Sequence, residues 1–181
     1  MRMNIDRYTG LNGVDFMICT FFGHREVQNS DEVAKKVYNT ISGLIVNRGV
    51  KVFYVGNNGS FDRIVLETLR KLSKIYEIEY TVVLAYLNMN NEYCDYEAGE
   101  TAYPENMEKT PPRFAIDKRN RWMIEKSDIA IAYINSPVGG AAKYVEICEK
   151  KGMEILNLGR LKKDCPTVQF FLFAKKQYNG A

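Results

Sequence analysis

Residues 15–62 read DFMICTFFGHREVQNSDEVAKKVYNTISGLIVNRGVKVFYVGNNGSFD, and the fold class turns on how the apolar period changes along them. The run DFMICTFF, Asp15 to Phe22, is short, apolar and stopped by Gly23, which suits a buried strand better than a helix. From Ser30 the period changes. Val33, Val37, Ile41, Leu44 and Ile45 recur at three- and four-residue spacing, the stripe of an amphipathic helix, with Ser30 as its expected N-cap and Gly49 as its glycine stop. A second strand, KVFYV from Lys51 to Val55, then ends at Gly56, and a tight GNNGS loop opens a second helix carrying Phe61, Ile64, Val65, Leu69 and Leu72 along one side.

The alternation continues downstream. A third strand, YTVVLAY, is expected from Tyr80 to Tyr86, and a fourth, DIAIAYI, from Asp128 to Ile134. After Gly139 and Gly140 comes a helix through about residue 151, stopped by Gly152, then a fifth strand, MEILNL, from Met153. VQFFLFA from Val168 offers an edge strand. Strand–helix alternation selects an α/β fold: a Rossmann-like doubly wound parallel sheet in three α/β/α layers. Right-handed crossovers then put every strand-to-helix loop on one edge of the sheet. Residues 87–117 break the pattern before the fourth strand. This long insertion holds Pro104, Pro111, Pro112, several acids and several tyrosines, and reads either as a surface excursion packed on itself or as a lid.

The bulk properties agree with one domain spanning residues 1–181. With 181 residues, 46% hydrophobic and 26% charged, the chain can bury a full core without disulfide or metal. No apolar run approaches the roughly 20 residues of a membrane helix, and the amino terminus lacks a secretory pattern, so a cytoplasmic location is expected. A net charge of +3 does not by itself indicate a nucleic-acid partner. Basic residues gather at Lys118, Arg119 and Arg121 and at Arg160, Lys162 and Lys163, and acidic ones between Glu92 and Glu108. Cys19, Cys94, Cys148 and Cys165 lack C-x-x-C spacing and His24 is the single histidine, so no zinc site or other metal is expected and the thiols are expected reduced.

Three glycine-bearing segments fall at the same sheet edge: Gly23-His24-Arg25, then Gly56-Asn57-Asn58-Gly59-Ser60-Phe61-Asp62, then Gly139-Gly140-Ala141-Ala142. Glycine lets backbone N–H groups approach a ligand closely, and the amides of a helix start favour phosphate. In open α/β sheets the ligand crevice lies outside the carboxyl ends of the strands. Each segment also has a plainer reading: tight turns at Gly56 and Gly59, helix–sheet packing at Gly139 and Gly140, a structural hydrogen bond at His24. Arg25 either pairs with an acid or grips phosphate. Asp62 either complements a helix dipole or accepts from a ribose hydroxyl. If Phe114 to Asp128 is helical, Arg119 aims back toward this edge, while Trp122 and Met123 read as core side chains ahead of the alternative, stacking on a ligand.

The strand plus GHR at Phe21 to Arg25, the GNNGSFD loop, the RNRWM-x4-D segment from Arg119 and the GGAA turn, in this order, resemble the SLOG superfamily, the Rossmann-like group uniting DprA/Smf proteins with the LOG nucleotide hydrolases. The match is nearest its YpsA-like branch and covers about Phe16 to Leu158. The resemblance implies a nucleotide or nucleotide-derived ligand, no cofactor, and self-association as a homodimer. In the LOG branch an HERK-type segment supplies an arginine, which Arg119 matches, and a PGGxGTxxE-type turn supplies phosphate-binding backbone and a catalytic glutamate. This chain departs from the second motif: there is no Pro-Gly-Gly or Gly-Thr, and one pairing of the glycines puts Lys143 near the expected acid, the other Glu146. The expected function is binding of a nucleotide-like small molecule, as a sensor, through Gly23, His24, Arg25, Gly56, Asn57, Gly59, Ser60, Asp62, Arg119, Gly139, Gly140 and Ala141. The alternatives are a LOG-like nucleoside 5′-monophosphate phosphoribohydrolase, with Arg119 and Glu146 catalytic, and DprA-like single-stranded DNA binding, which the modest charge disfavours.

Overall fold

The computed structural model describes residues 16–87, 96 and 100–159. Ten elements follow in order: β1 (Ile18–Gly23), α1 (Ser30–Arg48), β2 (Val52–Val55), α2 (Ser60–Leu72), β3 (Glu79–Val83), β4 (Thr101–Ala102), α3 (Pro112–Lys126), β5 (Ile129–Tyr133), α4 (Gly140–Lys151) and β6 (Glu154–Asn157). The six strands form one sheet in the order β4-β3-β2-β1-β5-β6, and every pairing is parallel. This is the expected Rossmann-like α/β architecture. The order reverses at β1: the chain runs from β1 out to β4, then returns to place β5 on the other side of β1.

Both faces of the sheet are covered, which is why its strands read as unbroken apolar runs. Cys19 and Phe21 of β1, Phe53 and Val55 of β2, and Ile129 and Ile131 of β5 share one core with the apolar stripes of α1 and α2. The alternate residues Ile18, Phe22, Val52, Tyr54 and Ala130 point the other way, against Met123 and Ile124 of α3 and Tyr144 and Cys148 of α4. Trp122 packs at the margin of this second core beside Tyr54, ring centroids 5.4 Å apart. Burial pushes the Cys19 thiol far above its ordinary value and the Cys148 thiol up to about 12, so both stay protonated and unreactive.

The helix ends obey local chemistry with one departure. Gly49 and Gly152 both adopt left-handed conformations (φ 65° and 75°) and close α1 and α4 as expected. At the start of α1, however, the cap is Asn29 in the left-handed region (φ 54°), and Ser30 is the first helical residue. Asparagine tolerates that region and moves the boundary back by one residue. The helix α3 starts on Pro112, whose missing N–H would be unpaired there in any case.

The segment expected as a long insertion also adds a strand. The residues of β4 pair with the end of β3 (Val82↔Thr101, Val83↔Ala102), so the strand expected fourth is β5. Two residues are too few to show a period. What holds β4 in place is Glu100, 6% exposed, whose carboxylate accepts from Arg70 Nε (2.8 Å) and Nη2 (2.7 Å) on α2. Beyond β4, Met107 packs with Ala85 and Ala115, and Lys118 Nζ donates to the Asn106 carbonyl at 2.7 Å, so residues 103–111 pack against the start of α3. The edge strand expected from Val168, the basic residues from Arg160, Cys94, Cys165 and most of the acidic stretch before Glu100 lie outside the described residues. No helix among the described residues is long and apolar enough to cross a membrane.

Candidate functional site

Because all strands run the same way, the loops after β1, β2 and β5 meet at one edge, beside the point where strand order reverses. A cavity of about 320 Å³ opens there, within the range of small-molecule sites. Gly23, His24 and Arg25 line it from the first loop, Gly56 and Asp62 from the second, Arg119 from α3, and Gly140 and Ala141 from α4. Asn57, Gly59, Ser60 and Gly139 stand beside it without lining it. Six lining residues stand outside the set expected from sequence: Phe21, Phe22, Asn58, Ile116, Asn120 and Tyr144. Tyr144 stands one helical turn beyond Gly140 and so shares its face, a spacing that carries the information.

The centre of the wall is Arg119, 1% exposed. Its Nη1 donates to the Val83 carbonyl at the end of β3 (3.1 Å) and its Nη2 to Asn58 Oδ1 (2.9 Å); among the described residues its Nε has no acceptor. Burial works against this charge and lowers its pKa from the ordinary arginine value, while the Asp62 carboxylate opposes that shift. Asp62 Oδ2 in turn accepts from Asn58 N–H at 2.8 Å. This arrangement leaves no room at Gly56: a Cβ there would collide with the Arg119 guanidinium and stand 2.6 Å from Asp62 Oδ2. The glycine after β2 is thus demanded by an arginine more than sixty residues away.

The two candidate helix starts are not equivalent. At α2, Ser60 N–H donates to the Arg25 carbonyl (2.8 Å) and Asn58 N–H to Asp62, so these amides are already engaged. Gly59 (φ 150°) lies so close to Arg25 that a Cβ would stand 2.9 Å from its Cα. The GNNGS turn therefore locks the first two loops together. At α4, Gly139 takes φ 123°, and Lys143 N–H makes the first intrahelical bond, to the Gly139 carbonyl (3.1 Å). Among the described residues nothing accepts from the Gly140, Ala141 or Ala142 N–H. Acids occupy the first turns of α1 (Asp31, Glu32) and α2 (Asp62), whereas α4 has none. The positive end of the α4 dipole is left uncompensated beside the cavity.

His24 Nε2 accepts from Asn135 N–H at 3.0 Å, which assigns the remaining ring proton to Nδ1, and the ring meets Tyr133 edge-on. The histidine thus has the structural bond, and Nδ1–H remains as its donor. Lys143 and Arg121 both pair with Asp117 (2.5 and 2.8 Å) outside the cavity lining; burial pulls the Asp117 carboxyl upward, but these two cations hold it below its usual range. Glu146 is exposed on α4, paired with Lys150 at 2.6 Å, and does not line the cavity.

The same architecture occurs in the X-ray structure of DNA processing protein A (DprA) from Streptococcus pneumoniae, with a TM-score of 0.56 and 16% identity over 78% of this chain and 50% of that one. At that identity the likeness is one of fold, and this chain spans half the length of that protein. No known family profile and no curated protein sequence matches the chain.

Two outcomes test this wall. Gly56→Ala should destabilise by about 1–3 kcal/mol through overpacking. Combined with Arg119→Ala, the loss should be at least about 1 kcal/mol smaller than the sum of the single losses, as read by denaturant unfolding; strict additivity would refute the contact. Burial also raises the Asp62 carboxyl above its usual range, against the pull of Arg119 and Asn58 N–H. The folded state therefore binds this proton more tightly than the unfolded chain. The contribution of Asp62 is present below the unfolded value, about 3.9, and is lost as pH rises through the folded one. The stability of Asp62→Asn relative to the parent should rise with pH across that window, whatever the constant offset, and a flat difference would contradict the shift.

Proposed function

We propose that the protein binds a nucleotide or nucleotide-derived phosphorylated ligand at the carboxyl edge of its sheet, as a sensor. The observation that carries this reading is the α4 start. Three amides without acceptors among the described residues, and no acid in the first turn, stand beside a cavity whose walls hold Arg25 and the buried Arg119. A phosphate seated on Gly140 and Ala141 would satisfy those amides and complement the dipole. Asp62 lies across the cavity as a hydroxyl acceptor, and the place at the strand-order reversal is where such ligands sit in open sheets. The resemblance of the GHR, GNNGSFD and GGAA segments to the YpsA-like branch agrees with it.

Binding is favoured over turnover by the position of Glu146. Cleaving an N-glycosidic bond needs a carboxylate beside the cation-like sugar, and this one is engaged with Lys150 at the surface. Asp62, the carboxylate that lines the cavity, is tied to Asn58 N–H.

Gly140→Asp separates site from fold. A Cβ at Gly140 meets nothing within 4 Å, and an aspartate in the first turn complements the helix dipole, so stability should be unchanged or slightly raised. Its carboxylate would occupy the phosphate position, weakening nucleoside monophosphates about tenfold or more. The readout is the ligand-induced rise in Tm against concentration. Equal shifts in both proteins would remove α4 from the site. Incubated with nucleoside monophosphates, the parent should release no free base; release that disappears in Glu146→Gln would establish the hydrolase instead.

A further inference from the structure

A second hollow, of about 560 Å³, lies at the same sheet edge on the other side of His24. Its walls come from the loop leading into α1 (Glu26, Gln28, Asn29), the first turns of α1 (Glu32, Lys36) and the ends of β5 and β6 (Tyr133, Asn135, Gly159). His24 lines both spaces, and its ring is held between them by Asn135 N–H and the edge of Tyr133. The two hollows are therefore neighbouring lobes at this sheet edge, with the histidine as their common wall.

The lobes differ in charge. The first carries Arg25 and Arg119 against Asp62, with the bare α4 start behind them. The second carries Glu26 and Glu32 against Lys36. Lys36 is committed to Glu32 at 2.8 Å, whereas Glu26 is exposed and forms no ion pair among the described residues. The α1 start also has Asp31 and Glu32 in its first turn, so its dipole is already complemented. This lobe disfavours a phosphate and favours a group that donates hydrogen bonds, because an ionised carboxylate only accepts.

Resting on the phosphate site proposed above, we infer that the second lobe receives the base of the nucleotide and selects bases that carry an exocyclic amine. The phosphate sits on α4, the ribose passes His24, and the amine donates to Glu26. An oxo group in the amine's place would turn a lone pair toward the carboxylate and leave both unsatisfied, the arrangement by which polar sites discriminate most strongly.

Calorimetric titration of the full chain with ribose 5-phosphate, AMP, IMP, CMP and UMP tests this. AMP should bind about tenfold or more tightly than IMP, or CMP than UMP, the worth of one hydrogen bond to a charged group. Glu26→Gln, a change on an exposed side chain, should collapse that preference, since an amide can also donate to an oxo group, and should leave ribose 5-phosphate binding unchanged. Equal affinities within both pairs, or a preference that survives Glu26→Gln, overturn the base lobe while leaving the phosphate site standing. If neither ribose 5-phosphate nor any nucleotide binds, both readings fall.

Discussion

A guanidinium buried at the edge of a parallel sheet constrains most of what surrounds it. Arg119 reaches from α3 to the end of β3, to the turn after β2 and toward the carboxylate that opens α2. A charge so placed is costly unless its donors find acceptors, and here the Val83 carbonyl and Asn58 are held for it by the backbone. Gly56 follows from this, because any side chain there would occupy the space of the guanidinium. So does the bond from Asn58 N–H to Asp62, which presents the side-chain oxygen of Asn58 to Nη2.

With the β2–α2 turn consumed in this way, the helix starts divide their labour. The α2 start ties loops together through Ser60 N–H and the Arg25 carbonyl, and α1 opens on Asn29 with its own acids nearby. The α4 start keeps its amides unengaged among the described residues, and its glycines stand in open space. The proposed chemistry of this edge follows from that inequality: positive at one lobe, carboxylate-rich at the other, with His24 between them.

Gly49 and Gly152 were legible as helix stops because a left-handed terminus is a local demand. Ser30 carries the local signature of a cap, yet Asn29 in the left-handed region precedes the first helical residue, and a backbone angle leaves no mark in the periodicity. The strand at Thr101 was invisible, since its two residues are held by pairing with β3 and by the Glu100–Arg70 bridge, neither of which leaves a periodic trace. Arg119 was expected to point at the sheet edge. Its role as the residue that dictates Gly56 was not readable, because the two are brought together only where α3, which follows β4, packs against the sheet edge.

What the sequence determined by itself was the alternation of its main strands and helices, the parallel sheet and the edge at which its glycine loops gather, because period and turn chemistry are short-range properties of the chain. Only the tertiary structure decided which helix start keeps its amides open, that Glu146 faces solvent while Asp62 faces the cavity, and that a second lobe lies beyond His24. Those outcomes depend on competition for hydrogen-bond partners between segments far apart along the chain, and such competition is settled only when the segments meet.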